Sequence, residues 1–411
     1  TRRDSVVPCR LPYAGAPVPP FAFSPLMLLH SPRWHRYIIP VGAGRVSFGC
    51  PPETEIGVRY QARVVDAELA ARLSSTGAVV IEGPKACGKT ATARQIAASE
   101  VLLDVDDNAR EAVAVAPARV LEGAVPRLID EWQTEPAIWN HIRRAVDDRQ
   151  RPGQFILTGS AVPADDITRH TGAGRITRLR MRPMSLFETG HSTGAVSLGK
   201  LLDRAPSDSP DPGLTVAAIA ERVAVGGWPG HHGRTVGQSL QALRDYLDEI
   251  RRVDIGRVDR TRRDPEKVGR LLSSLARNVA TTVAVTTLAA DTGGADGALK
   301  DDTVREYLTA LERLMIVEDQ PAWAPHLRSK SLLRSAPKRH FVDPSLAVAA
   351  LRGTPDHLLR DLHLFGFLFE SLVTRDLRVY AQANDAVVLQ YRDNTNLEVD
   401  AIVQAANGRW A

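Results

Sequence analysis

The eight residues Gly83-Pro84-Lys85-Ala86-Cys87-Gly88-Lys89-Thr90, reached directly from the apolar run Ala78-Val79-Val80-Ile81, constrain this chain more than any other feature. Each fixed position of such a loop has a mechanical reason. Glycine lets backbone N–H groups curl around phosphate oxygens with no Cβ in the way. Lys89 brings a point charge to the β- and γ-phosphates, and Thr90 brings a hydroxyl to Mg²⁺. The helix expected from Thr90 to Ser99 turns its positive end toward the anion. A plain strand–turn–helix connection is the bland alternative. The buried strand before the loop and the helix after it are the context that speaks against a chance match. The reading is a nucleoside triphosphate held with Mg²⁺ by Gly83, Pro84, Lys85, Ala86, Cys87, Gly88, Lys89 and Thr90.

A chain of 411 residues is too long for one ordinary core, so two or three domains are expected. Only three cysteines, Cys9, Cys50 and Cys87, occur, and without metal-ligand spacing, which argues against a disulfide framework and a zinc site. A reducing, cytoplasmic setting fits that usage. No apolar run approaches the roughly 18 residues of a membrane helix. Residues 1–58 are rich in proline and show no sustained period, so a disordered or non-native start is expected. The first residue is threonine, which suggests that the natural start lies elsewhere.

From Tyr60 onward, short apolar runs alternate with helical patterns. Arg63 to Leu73 reads as a helix, Val101 to Val105, Arg127 to Ile129 and Phe155 to Leu157 as strands, and Ile138 to Val146 as a helix. Such alternation points to an α/β fold with a parallel sheet covered on both faces. Leu128-Ile129 ends in Asp130-Glu131. A carboxylate at that strand end can hold the Mg²⁺ shell, a role for Asp130, while Glu131 can act as general base toward the attacking water. Two acids capping the next helix would be the simpler account. Ser160, after Phe155-Ile156-Leu157-Thr158-Gly159, can reach a γ-phosphate or the water, or can cap a helix. Arg175 can neutralise transition-state charge in its own subunit's site or in a neighbour's. Arg178, Arg180 and Arg182 alternate behind it as a solvated strand face would.

The set GPKACGKT, LIDEWQ, FILTGS, GAGR and RPMSLFE, with Gly226-Gly227-Trp228-Pro229-Gly230 beyond it, resembles the prokaryotic AAA-type ATPases that carry a C-terminal domain of unknown function, number 4143. The resemblance runs from about Tyr60 to Ala411. It implies ATP as the nucleotide and a P-loop NTPase core with strand order 5-1-4-3-2. It also implies a winged-helix-like middle segment and a tail similar to the PD-(D/E)xK nuclease fold. The expected domains are 59–200, 215–361 and 362–411.

The later parts speak less clearly. Between Arg251 and His340 there are 17 Lys and Arg against 12 Asp and Glu, a locally basic balance in a chain of net charge +4. Val285 to Ala290 followed by Asp302 to Leu308 is compatible with a helix-turn-helix on duplex DNA, and equally with plain helical packing. In the tail, Glu370 and Asp400 match two positions of a nuclease metal site, but no Glu-x-Lys follows before Ala411. Three functions are therefore open: an ATPase with a DNA-associated module, a nucleotide-controlled binding switch with little hydrolysis, and an ATPase-regulated nuclease.

Overall fold

The structure is a computed structural model that describes residues 60–159, 171–206, 208–211, 213–258, 261–324, 336–393 and 397–411. All of them belong to one compact unit, Thr54–Ala411. The proline-rich stretch 1–58, expected to be disordered, and Ser160 lie outside the described residues.

Five parallel strands form the N-terminal sheet: β1 Ala78–Glu82, β2 Ser99–Leu102, β3 Arg127–Asp130, β4 Phe155–Gly159 and β5 Ile176–Arg180. Their order is β2-β3-β4-β1-β5, the expected 5-1-4-3-2 seen from the other edge. The central strand β1 pairs with β4 from Ala78↔Phe155 and with β5 from Ala78↔Ile176. Consecutive residues of β1 serve opposite faces because side chains alternate along a strand. Ala78 and Val80 meet Ile142 and Val146 of the helix Ile138–Arg149, while Val79 and Ile81 meet Leu69 and Leu73 of the helix Val65–Ser75. A sheet covered on both faces explains why β1 reads as an unbroken apolar run rather than an alternating one.

The helix after the phosphate loop is shorter than its alanine content suggests. It spans Lys89–Arg94 only, because Ser99–Leu102 is recruited as β2 against β3. The Ala98 amide, bonded to the Pro126 carbonyl at 2.8 Å, starts that pairing. Edge pairing in the sheet outweighs local helix propensity here.

From residue 215 to about 361 the described residues are mostly helical, as the periodicity of that stretch predicts. Thr235 opens the helix Val236–Glu249 with a reciprocal capping box to Gln238. That helix runs into a π-helical turn, Ile250–Asp254. The helices Val285–Gly293 and Asp301–Arg313 follow in the expected succession, the second burying Val304, Tyr307, Leu308 and Leu311 at helical spacing. The long helix Leu362–Ala383, capped by Asp361, contributes Phe365, Leu368 and Leu372 to the same core as residues 220–358. It leads into an antiparallel pair, β6 Ala386–Arg392 and β7 Glu398–Ala405. Among the described residues, no helix is long and apolar enough to cross a membrane.

Candidate nucleotide-binding site

The glycine loop leaves the C-terminal end of β1 and closes tightly. A Cβ on Gly83 would collide with the Met181 carbonyl oxygen, so only glycine fits there. Gly88 stands at φ 102°, a conformation that side chains disfavour, and Ala86 at φ 62° completes the curl. Lys89 opens the following helix and is buried, its Nζ donating to the carbonyls of Gly83 (3.0 Å) and Pro84 (2.9 Å).

Asp130 ends β3 beside the loop. The Thr90 hydroxyl donates to its Oδ1 at 2.9 Å, and the Thr158 hydroxyl, from the end of β4, donates to the same oxygen. Two hydroxyls and one nearly buried carboxylate therefore converge at the C-terminal edge of three adjacent strands and their loops. Glu131 has already left the strand: at φ 50° it caps the short 3-10 turn Trp132–Thr134, and its Oε2 accepts from the Gln133 amide. The left-handed residue, rather than strand alternation, is what sends the two neighbouring acids in different directions.

Arg175 sits elsewhere. Its carbonyl accepts from the Ala78 amide at the start of β1, and its guanidinium pairs with Asp147 at 2.8 Å. The phosphate loop lies at the other end of the same strand, four residue steps or about 13 Å away. The reading of Arg175 as a charge for its own subunit's site is thereby corrected, because parallel strands carry their first residues away from the loop edge. The view of Arg178, Arg180 and Arg182 as a solvated face holds for Arg178, which stays exposed, and is overturned for Arg180 and Arg182. Arg178 pairs with Glu82 and lies over the Trp139 ring. Arg182 and Arg180 reach Glu318 at 2.6 and 3.9 Å, and Arg378 stands at 3.8 Å. Burial works to raise the Glu318 carboxyl, yet Arg182, Arg378 and Arg180 hold it well below the ordinary carboxylate range.

Arg63 is a brace that the sequence reading missed. It is nearly buried and donates to the carbonyls of Cys87 (2.9 Å) and Arg182 (2.7 Å), while pairing with Glu188 at 3.0 Å. Its only local signal is its place at the start of an amphipathic helix, which says nothing about a loop 24 residues on.

In the tail, Glu370 and Asp400 do come together, with Glu398 beside them. All three surround the ammonium of Lys338, at 2.7, 2.8 and 2.7 Å. That lysine lies 62 residues before Asp400 and is no part of a Glu-x-Lys following it. Burial pushes the Glu370 carboxyl up against the opposing pull of Lys338. Among the described residues, no group of three or more His, Cys, Asp or Glu is arranged to hold a metal ion. The acids here are satisfied by a lysine.

A glycine loop between β1 and a helix, on a parallel sheet of order 2-3-4-1-5 with Thr90 on Asp130, defines the P-loop NTPase fold. Residues 75–190 match the family model described as "AAA domain". Residues 216–357 match a different model, "Domain of unknown function (DUF8612)", in the stretch where the domain numbered 4143 was expected to begin. None of the curated proteins matches the sequence. Among solved structures, the chain is similar to a Walker-type ATPase of Pyrococcus abyssi. The identity is 12% and the TM-score 0.44, over 70% of this chain and 94% of that one. The Drosophila ORC bound to DNA gives 14% identity and a TM-score of 0.20, over 76% and 96%.

Proposed function

We propose that this chain binds Mg·ATP at the loop Gly83–Thr90 and hydrolyses it. The single observation that carries the reading is the convergence of Thr90 and Thr158 on Asp130 beside a loop closed by Gly83 and Gly88. An all-oxygen set of one carboxylate and a hydroxyl suits a hard cation that keeps several of its waters. Thr90 and Asp130 would hold Mg²⁺, and the bound Mg·ATP supplies an anhydride whose γ-phosphoryl leaves through a loose transition state.

The chain's own residues do the rest. The loop's amides and Lys89 orient the phosphates and offset charge on the leaving oxygens. Glu131, the residue directly after the metal-side acid, accepts a proton from the attacking water. Gln133, bonded to Glu131, fixes where that carboxylate points. Thr158 anchors Asp130 from the neighbouring strand. Arg175, facing away from its own loop, could act only toward a neighbouring subunit's site.

The bond between Glu131 and Gln133 also favours a second reading, in which that carboxylate stays turned toward Gln133 rather than toward the attacking water. A nucleotide switch with slow hydrolysis would then result. A DNA-associated role for the helical module rests on the succession Val285–Gly293 and Asp301–Arg313, with Arg305 exposed near the start of the second helix. The test is calorimetric ATP titration with and without Mg²⁺, together with multiple-turnover phosphate release with and without duplex DNA. Lys89→Ala should abolish or greatly weaken binding. Unchanged affinity in a folded Lys89→Ala variant rejects the site, and binding without turnover leaves the switch.

A further inference from the structure

Asp254 is a carboxylate where an apolar side chain would be expected. It follows Leu243, Leu247 and Ile250 at helical spacing, all of them in the core of the helical module, and Ile255 beside it is buried too. Its side chain is only 6% exposed, and its Oδ1 meets the Nζ of Lys85 at 2.6 Å. Lys85 lies in the phosphate loop, 169 residues earlier, and its own side chain is 43% exposed. The same loop touches the helical module twice more. The Tyr246 hydroxyl points at the Lys85 carbonyl at 3.5 Å, and the Pro229 ring stands 3.5 Å from where a side chain on Gly88 would begin.

Burying a carboxylate in an apolar stripe is costly, and a well-packed hydrophobic pair would join two modules at least as well. What an ion pair offers, and an apolar contact does not, is exchange of one anion for another. Lys85 belongs to the loop that cradles phosphates and is exposed enough to turn. Asp254 also ends a π-helical turn, a feature that recurs at functional sites where a helix must give.

Building on the nucleotide reading above, we propose that the Lys85–Asp254 pair couples phosphate binding to the docking of the helical module. Lys85 exchanges Asp254 for the triphosphate. Asp254 then loses its cation, and the turn Ile250–Asp254 loosens from the loop. By linkage, anything that weakens the pair strengthens nucleotide binding by the same factor.

The experiment is a double-mutant cycle on the full chain with Mg·ATP as the probe, read by calorimetry and by hydrogen exchange over residues 244–257. Asp254→Asn keeps the shape, removes a competing charge and should raise ATP affinity about fivefold to tenfold. Lys85→Met in that background should remove the gain, so the two effects are not additive. In the parent, ATP should speed exchange over 244–257. In Asp254→Asn, exchange should already be fast without nucleotide, and ATP should add nothing. Lys85→Met, on the exposed side of the pair, should also give the fast exchange and serves if Asp254→Asn does not fold. Additive effects on affinity, or exchange that ATP leaves unchanged in the parent, overturn the coupling while leaving the nucleotide site intact. A parent that binds no ATP rejects the nucleotide reading, and the coupling with it.

Discussion

Glu131→Gln separates binding from chemistry at the proposed site. Glu131 sits at φ 50° with Oε2 accepting from the Gln133 amide. Glutamine has the same length, meets the same backbone strain, and keeps an oxygen that Gln133 can reach. Folding stability should therefore change by less than about 1 kcal/mol, the net worth of one such hydrogen bond. In the proposed site the phosphate contacts would come from the loop and Lys89, so the Mg·ATP dissociation constant should stay within about threefold, a difference under about 1 kcal/mol. What disappears is the basic carboxylate, a contribution of about 10²–10⁴ in rate. That factor corresponds to about 3–5 kcal/mol in the barrier. Single-turnover and steady-state phosphate release, set beside calorimetric affinity, read the three quantities separately. Turnover at the parent's rate would refute Glu131 as the base. Lost affinity at unchanged melting temperature would show instead that Glu131 helps to hold the metal or phosphates.

Gly88→Ala places a side chain at φ 102° and should cost about 1–3 kcal/mol, seen as a lower melting temperature with weaker ATP binding. Glu318→Gln leaves Arg180, Arg182 and Arg378 without their shared carboxylate and should destabilise the fold by about 3–5 kcal/mol at pH 7, measured by urea titration. Because the folded Glu318 carboxyl is held low, its stabilisation is present above the unfolded value of about 4.3 and is lost as pH falls below it. The Glu318→Gln variant should therefore show a flatter decline of stability below about pH 5, and a decline as steep as the parent's rejects the assignment. If the helical module holds duplex DNA, Arg305→Ala should weaken binding at low salt, and no binding by the parent in that buffer rejects a DNA role.

The P-loop half was legible because its signals are local. The loop, the strand that feeds it and the two acids at the end of β3 each lie within a dozen residues, and each has a mechanical reason visible in the sequence. Strand order came through resemblance rather than from any residue. Arg175 could have been placed from the sequence as well. The alternating Arg178, Arg180 and Arg182 already marked a strand, and a residue just before a parallel strand lies at the edge away from the loop. What could not be read is pairing between distant charges. Arg182 finds Glu318 across 136 residues, and Lys338 finds three acids up to 62 residues downstream. Charge patterns predict solvated faces by default, and only tertiary structure says which of them are interior.

The same physics bears on the basic stretch from Arg251 to His340. Its excess of positive charge was the sequence's main argument for nucleic acid, yet several of its cations are engaged within the fold. Arg251 pairs with Asp248 and Glu266, Arg339 with Asp319, and Lys338 with Glu370, Glu398 and Asp400. Arg270 donates to the Thr292 carbonyl and the nearly buried Arg263 to that of Ile255. A cation already held by a carboxylate releases little from the counterion atmosphere of DNA, because it must first give up its partner. Any binding by this module should therefore depend on salt far more weakly than the 17 basic side chains suggest. A slope of log affinity on log salt of about −3, three or four phosphates' worth, is the expected upper size. Fluorescence anisotropy of a labelled duplex from 25 to about 200 mM salt measures it. A slope nearer to about −8 would mean that these internal pairs open on DNA, and that the packing described for Lys338 and Arg339 belongs to the DNA-free protein alone.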